Sequence, residues 1–142
     1  MVNIPLIEMT VIYRVLIALV LGLLLGIQRE MRKIIDKVPG MAGLRTHTLV
    51  CVGAALISAA GSIIYPENAV FLAASIMTGI GFIGAGSVIA AQGKIKGLVN
   101  AVTIWITGVI GLTVGLGLYF SAVFVTIIAL AILALKKFEK ID

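Results

Sequence analysis

The sequence predicts an all-α integral membrane bundle of five transmembrane helices, with its N-terminus outside and its C-terminus inside. Its 142 residues are 61% hydrophobic and only 12% charged, and their mean hydropathy is +1.23. Soluble domains carry about 25% charged residues, so this composition excludes an ordinary soluble enzyme, a disordered protein and a nucleic-acid-binding module. The single cysteine excludes a disulfide framework.

Four apolar stretches, separated by charged or turn-forming residues, define the spans. A hydrocarbon core of about 30 Å needs roughly 20 apolar residues per helix. The last stretch has 38 residues. As one helix it would measure about 57 Å, longer than a whole bilayer, so we divide it at a turn near Gly115 and Gly117. The chain is interpreted as one transmembrane domain, residues 1–142, with spans at about 4–27, 46–64, 69–91, 98–114 and 116–135.

The distribution of basic residues sets the orientation. With five spans, ten of the eleven Lys and Arg residues fall on the side of the first loop and the C-terminus, and Arg14 lies within the first span. Basic residues favour the cytoplasmic side of a membrane. We therefore expect a multi-pass protein of the cell membrane whose partners include the lipid bilayer and exclude nucleic acid.

Small residues recur along single helical faces, which is typical of helix–helix contacts in a bilayer. On the first helix one stripe joins Arg14, Ala18, Gly22, Gly26 and Arg29, and on the third another joins Ala74, Thr78, Gly81 and Ala85. The glycines predicted to pack helices are Gly22, Gly26, Gly79, Gly81, Gly84 and Gly86. The fifth helix is mostly large and aliphatic, so we expect it to face lipid or a second copy, and we expect a homo-oligomer.

The third span carries the pattern G-x-G-x-x-G at Gly79, Gly81 and Gly84. This pattern binds dinucleotides only where it follows a strand of a soluble fold, so a nucleotide site is rejected here. Two interpretations remain. The glycines pack helices closely, or they break the helix and free backbone groups to bind an ion.

Seven polar residues are candidates for a partner site, an ion site or a polar cytoplasmic vestibule. Arg14 is costly at membrane depth, which favours a function, although it could instead reach the headgroups from the outer end. Glu30 and Arg45 are expected to pair at the cytoplasmic side, where charges also serve simply to set topology. The full set is Arg14, Arg29, Glu30, Arg45, His47, Asn100 and Thr103. We predict no catalytic residue, metal ligand or cofactor, because one histidine and one cysteine make no metal-binding set.

Four motifs, in this order, resemble the membrane domain of the MgtC/SapB family. They are Gly26-Ile27-Gln28-Arg29-Glu30, Ala42-Gly43-Leu44-Arg45-Thr46-His47, Gly79-Ile80-Gly81-Phe82-Ile83-Gly84-Ala85-Gly86, and Gly97-Leu98 followed by Trp105. The resemblance covers nearly the whole chain. The sequence departs from the family pattern at the third helix. Family members typically carry an Asp-Pro-x-Arg element at its start and a Gln inside it, whereas the corresponding residues here are Asn68, Ala69, Phe71 and Ser75.

The resemblance implies a bacterial or archaeal inner-membrane protein associated with adaptation to low magnesium. Many members add a small cytoplasmic domain resembling ACT regulatory domains, which we expect this chain to lack. The best-described role in the family is inhibition of the proton-translocating ATP synthase, which makes that enzyme a candidate partner by resemblance alone.

Two hypotheses about function follow. The leading one is a non-enzymatic protein that regulates another membrane protein through its helices. The alternative is a small ion or solute transporter or channel with a polar cytoplasmic vestibule. Magnesium is a poor cargo, because Mg²⁺ needs oxygen ligands, usually carboxylates, and none of the six acidic residues is predicted near the middle of the bilayer.

Overall fold

The structure, a computed structural model, describes residues 4–36, 41–91 and 94–135. Within them lie five α-helices and one short hairpin. They are α1 (Ile4–Asp36), α2 (Leu44–Ile64), α3 (Ala69–Ala85), β1 (Ile89–Ala91), β2 (Lys94–Lys96), α4 (Leu98–Gly115) and α5 (Tyr119–Ala134), with a 3-10 turn at Pro66–Asn68 before α3. The predicted helical architecture is confirmed. Four helical segments of the described chain are long and apolar enough to cross a membrane, namely α1, α2, α4, and α3 taken together with the 3-10 turn before it (Pro66–Ala85). Helix α5 has 16 residues and is shorter, so the count of five spans and the orientation stay predictions.

Two predicted boundaries differ from the structure. The first span was expected to end near 27, but α1 continues to Asp36 because the charged residues that follow are good helix formers. The third span was expected to reach 91, but α3 ends at Ala85 and the chain enters the antiparallel hairpin, in which Ile89 pairs with Lys96. Gly97 then turns the chain into α4 with a φ of +91°, where a side chain would also collide with the carbonyl oxygen of Ser87.

Helix α2 lies between α1 and α4 and touches both through glycines spaced four residues apart. A Cβ added to Gly22 of α1 would lie 2.8 Å from the Cβ of Cys51, and one added to Gly26 would lie 2.8 Å from the carbonyl oxygen of Leu44. On the other side, a Cβ at Gly111 or Gly115 of α4 would overlap atoms of α2. Helices in lipid associate by such close backbone approach, so these two glycine pairs hold the centre of the bundle together.

Two clusters of buried side chains fill the bundle. The larger joins α1, α2, α4 and α5, and the smaller joins α2, α3 and α4 through Ala54, Ile80 and Ile104. Helix α5 contributes only small buried residues, namely Ala122, Thr126 and Ala129, and Phe120 on its outer surface is 95% exposed. The larger cluster consists of Ala18, Leu21, Leu25, Cys51, Ala55, Ile110, Val114, Ala122 and Ala129.

The two ends of the bundle differ in chemistry. We call one the basic end, defined by Arg29, Arg32, Lys33 and Arg45, and the other the tyrosine end, defined by Tyr13, Tyr65 and Tyr119. The hairpin strand with Lys94 and Lys96 also precedes α4 at the basic end, whereas Lys37, Lys136, Lys137 and Lys140 lie outside the described residues. The basic end is the one that we predict to be cytoplasmic.

Helix α3 is peripheral, and its predicted buried face is not buried in this chain. Its only buried residues are Ile80 and Gly84, which pack against α4. The predicted stripe lies largely on the other side of the helix, with Ala74, Thr78 and Ala85 exposed. The helix also runs unbroken through Gly79, Gly81 and Gly84, so the interpretation in which these glycines break the helix is wrong.

Candidate functional site

The candidate polar residues fall into two groups at opposite ends of the bundle. Arg14 lies at the tyrosine end, and the other six lie at the basic end, on α1, α2 and the start of α4. Sixteen residues separate Arg14 from Glu30 along α1, a distance of about 24 Å. Between them lies the larger apolar cluster, so the structure does not bring Arg14 together with the rest.

Most of the basic-end group is buried. His47 is 0% exposed, Thr103 2%, Asn100 5% and Arg29 6%, whereas Arg45 is exposed. Buried polar groups are expensive in an apolar surrounding unless hydrogen bonds satisfy them. The partners of each residue therefore indicate what it does.

Glu30 holds the start of α2. Its Oε2 accepts a hydrogen bond from the backbone N–H of Leu44 at 3.0 Å, and its Oε1 pairs with the Nζ of Lys33 at 3.4 Å. In the described chain it makes this ion pair with Lys33 rather than the expected one with Arg45. Gly43 leaves room for the carboxylate, since a Cβ there would overlap Oε2. A carboxylate at a helix N-terminus is favoured by unpaired N–H groups and by the helix dipole, so Glu30 caps α2 from a neighbouring helix.

Asn100 tethers the same loop from α4. Its Oδ1 accepts a hydrogen bond from the backbone N–H of Ala42 at 3.1 Å. The segment just before α2 is thus attached to α1 through Glu30 and to α4 through Asn100.

His47 has one nitrogen satisfied and one not. Its Nδ1 lies 2.8 Å from the carbonyl oxygen of Gly43. Because a carbonyl oxygen only accepts, the neutral ring carries its proton on Nδ1, and Nε2 is an acceptor. Nε2 is buried and has no hydrogen-bond partner among the described residues. The same residues contain no group of three His, Cys, Asp or Glu side chains that could hold a metal ion.

The threonines of α4 bond within their own helix. The hydroxyl of Thr103 donates to the carbonyl oxygen of Val99, and that of Thr107 donates to the carbonyl oxygen of Thr103 at 2.7 Å. Such bonds to the preceding turn are usual for hydroxyl side chains inside helices.

Arg14 points into the bundle and binds the end of α4. Its Nη1 donates to the carbonyl oxygen of Gly115 at 2.6 Å. The last carbonyls of a helix lack partners within it, and in lipid each needs one. The carbonyl oxygens of Leu112, Thr113 and Val114 accept hydrogen bonds from backbone N–H groups of the turn that follows. Arg14 therefore satisfies the fourth and last carbonyl of the helix, that of Gly115.

The six glycines predicted to pack helices divide into two sets. Gly22 and Gly26 lie against α2, and a Cβ at Gly84 would lie 3.2 Å from the carbonyl oxygen of Ala101. Gly79 and Gly81 have nothing from other elements of the described chain within 4 Å of an added Cβ, and Gly86 meets only carbonyls of its own segment. Small residues therefore occupy an open face of α3.

We expect Glu30→Ala to increase hydrogen exchange at the Leu44 amide, because that amide loses its acceptor. Glu30→Gln keeps a side-chain oxygen and should keep exchange closer to that of the native chain. Exchange measured by NMR on the isotope-labelled chain in micelles tests this, with exposed Glu67→Ala as the matched control. Unchanged exchange at Leu44 in Glu30→Ala would contradict the capping role.

The family model described as "MgtC family" matches residues 15–140, which is most of the chain and all of the basic-end group. This chain belongs to the MgtC family. The resemblance found in its motifs is therefore confirmed.

Among its relatives, the Protein MgtC of Salmonella typhimurium (strain LT2) is 39% identical over 119 residues, which are 84% of this chain and 49% of that protein. The Protein MgtC of Brucella abortus (strain 2308) is 37% identical over 121 residues, which are 84% of this chain and 48% of that protein. The chain thus spans about half the length of the curated MgtC relatives that it matches. No solved structure matches it significantly.

Two positioning residues of this MgtC-family chain are not among the residues predicted from the sequence. The first is Gly115, which the sequence places in the predicted turn, although its four-residue spacing from Gly111 is the same signal that indicates close packing at Gly22 and Gly26. The second is Gln28, whose side-chain amide nitrogen lies 3.5 Å from the carbonyl oxygen of Leu133 on α5.

Proposed function

We propose that this chain is a non-enzymatic protein of a prokaryotic cell membrane that regulates another membrane protein during adaptation to low magnesium. In this proposal a transmembrane helix of the partner docks on the open face of α3. The observation that carries it is the chemistry of that face, which presents small and hydroxyl-bearing residues where a lipid-facing helix normally presents large apolar ones.

The α3 face, defined by Ala74, Ser75, Thr78 and Gly79, is exposed along its length. Ser75 and Thr78 donate their hydroxyls to carbonyls of α3 itself, at 2.9 Å and 2.8 Å, so these groups do not project outward in search of water. Helices in bilayers approach each other closely at such surfaces, because lipid tails compete poorly for small residues. The face therefore suits a second helix better than acyl chains.

A groove continues the α3 face toward α2. Its volume is about 550 Å³, and Gly53 and Gly79 form parts of opposite walls. Nothing in other elements lies within 4 Å of a Cβ added at either glycine. Apolar side chains of an incoming helix would fill this groove, whose lining is Leu49, Val50, Gly53, Ala54, Ile57, Ser75, Ile76, Gly79, Ile80 and Ile83.

Transport is the weaker proposal. A transported ion needs a continuous polar route, and the polar candidates of the described chain lie at opposite ends with an apolar cluster between them. Magnesium would also require oxygen ligands, usually carboxylates. The described glutamates lie near helix ends, at Glu8, Glu30 and Glu67.

Gly79→Leu tests the proposal directly. The position has free space, so the variant should fold as well as the native chain while its side chain fills the groove. We expect photo-crosslinking from a probe at Thr78 to capture a second membrane protein from native membranes under low magnesium, and Gly79→Leu to reduce that capture about tenfold or more. Ala131→Leu, a matched small-to-large change on the exposed surface of α5, should leave capture unchanged.

Other outcomes would overturn the proposal. Capture of the chain only by itself would identify the α3 face as a homo-oligomer interface. Equal capture by Gly79→Leu and the native chain would show that the partner does not dock on the α3 face. Magnesium, proton, potassium or chloride flux into liposomes that contain the folded chain would instead favour the transporter.

A further inference from the structure

Helix α1 carries a stripe of large apolar side chains on the side that faces away from the bundle. This helix has 33 residues, about 50 Å, whereas α2 has 21 and α4 has 18. The apolar side chains recur every three or four positions, the spacing of a helix–helix seam, and each is 46–69% exposed. We call this set the α1 stripe, and its members are Leu16, Val20, Leu24, Ile27, Met31 and Ile34.

The edge of the hydrocarbon core at the basic end lies near Gly26. The backbone of Leu44 on α2 lies against this residue, since an added Cβ there would lie 2.8 Å from the Leu44 carbonyl oxygen. The next residue of α2, Arg45, is exposed. An exposed arginine belongs at the headgroup level or in water, because a charge is costly at membrane depth.

The α1 stripe extends beyond the reach of lipid. Ile34 lies eight residues past Gly26, about 12 Å along the helix. The headgroup layer on each side of a bilayer is only about 5–8 Å thick, so Ile34 reaches its aqueous side. Met31 is nevertheless 57% exposed and Ile34 69%. Water contacts this apolar end of the stripe, and burial against a partner would remove that unfavourable exposure.

We propose that two copies of this chain pair through the α1 stripe, with their α1 helices parallel and a two-fold axis along the membrane normal. Copies whose basic residues orient them alike in one membrane can bring α1 to α1 only in this parallel way. A second copy presents a stripe of the same length. It therefore covers the aqueous end as well as the part within the bilayer, which acyl chains do not.

The charges beside the α1 stripe suit such a pair. Around the helix, Arg32 follows Met31 by about 100° and Glu30 precedes it by the same angle. Two-fold symmetry brings opposite flanks of two parallel helices together, so the flank with Arg32 in each copy faces the flank with Glu30 in the other. Opposite charges therefore adjoin on both sides of the seam. Lys33 lies about 200° from Met31, away from the contact.

The apolar area is sufficient for a stable pair. The same face continues toward the tyrosine end through Tyr13, Met9 and Leu6, which are 57–66% exposed. Together with the α1 stripe these side chains expose on the order of 900 Å², against roughly 800 Å² per partner in a standard interface. Within the bilayer lipid competes for this surface, so the end that water contacts favours the pair most.

Disulfide trapping in native membranes tests the pairing. Cys51, the only cysteine, is buried, so the native chain provides the baseline. Met31→Cys and Ile34→Cys should form disulfide-linked dimers on mild oxidation, because facing seam positions bring Cα atoms within the roughly 4.4–6.8 Å that a disulfide spans. Lys33→Cys, on the far side of the same turn, is the matched control and should form about tenfold less dimer.

Ile34→Glu measures how much the aqueous end contributes. The position is exposed, so the variant should fold, but in a pair the two glutamates would face each other across the seam. We expect its association to be about tenfold or more weaker than that of the native chain, because juxtaposed like charges repel. Energy transfer between labelled copies in liposomes, over a range of protein-to-lipid ratios, measures this. Ile34→Leu keeps an apolar side chain and should associate like the native chain.

Several results would overturn the proposal. Equal trapping of Lys33→Cys and Ile34→Cys would indicate random collision, and rapid labelling of Ile34→Cys by a water-soluble maleimide without disulfide formation would show that the stripe ends in water. Dimers trapped through Thr78→Cys but not through Ile34→Cys would place the contact on the α3 face. The α1 stripe and the α3 face lie on different helices, so loss of the pair would leave the proposed function to be decided by its own capture experiment.

Discussion

Gly111→Val is expected to reduce the free energy of unfolding by about 3 kcal/mol or more. A Cβ at this position would overlap the carbonyl oxygen of Cys51 and would lie 2.9 Å from its carbonyl carbon and 3.0 Å from its Cα. These are backbone atoms of the central helix, which cannot move aside as a flexible side chain would. The variant must therefore push α4 away from α2 and weaken the contact of Ser58 with the carbonyl oxygen of Leu112, now 3.2 Å.

Unfolding of the purified chain in micelles, followed by circular dichroism and by the fluorescence of Trp105, measures this effect. Gly53→Val is the matched control, because an added Cβ there meets nothing from other elements within 4 Å. It should change stability by well under 1 kcal/mol beyond its effect on helix propensity. Equal losses in the two variants would show that helix propensity, and not the α2–α4 contact, dominates at Gly111.

The helices and the α1–α2 contact were predictable because their signals are local. Apolar stretches of sufficient length define the helices, and the four-residue spacing of Gly22 and Gly26 predicted a close contact that α2 makes. The predicted end of α3 lies too far along the chain, because residues 86–91 are mostly apolar and a hydropathy pattern does not distinguish a helix from a short hairpin strand. Family membership was also predictable, since the motifs are contiguous.

The neighbours of each face were not predictable. Gly84 packs against α4, whereas Gly79 faces no other element of the described chain. Both are glycines of the same helix, so the sequence does not show which of them makes a contact. The partner of Arg14 is a backbone carbonyl 101 residues away, and no side-chain pattern marks such an acceptor. Polarity at the basic end suggested a vestibule, but buried polar residues also serve to fasten helix ends, as Glu30 and Asn100 do.

Asn100→Leu is expected to reduce the free energy of unfolding by about 1 kcal/mol, because the partly buried N–H of Ala42 loses its acceptor. Asn100 is 5% exposed, and leucine has a similar size, so the change removes the hydrogen bond while creating little cavity. Val99→Ala, at the exposed neighbouring position, is the control and should have a much smaller effect.

Hydrogen exchange separates this local loss from general loosening of the bundle. In Asn100→Leu the Ala42 amide should exchange faster, while the Leu44 amide, which Glu30 still accepts, should stay protected. In Glu30→Ala the Leu44 amide should exchange faster, while the Ala42 amide should stay protected. Two amides that respond separately would establish that α1 and α4 hold the start of α2 independently, whereas a joint rise in both variants would mean that the loop before α2 opens as one unit.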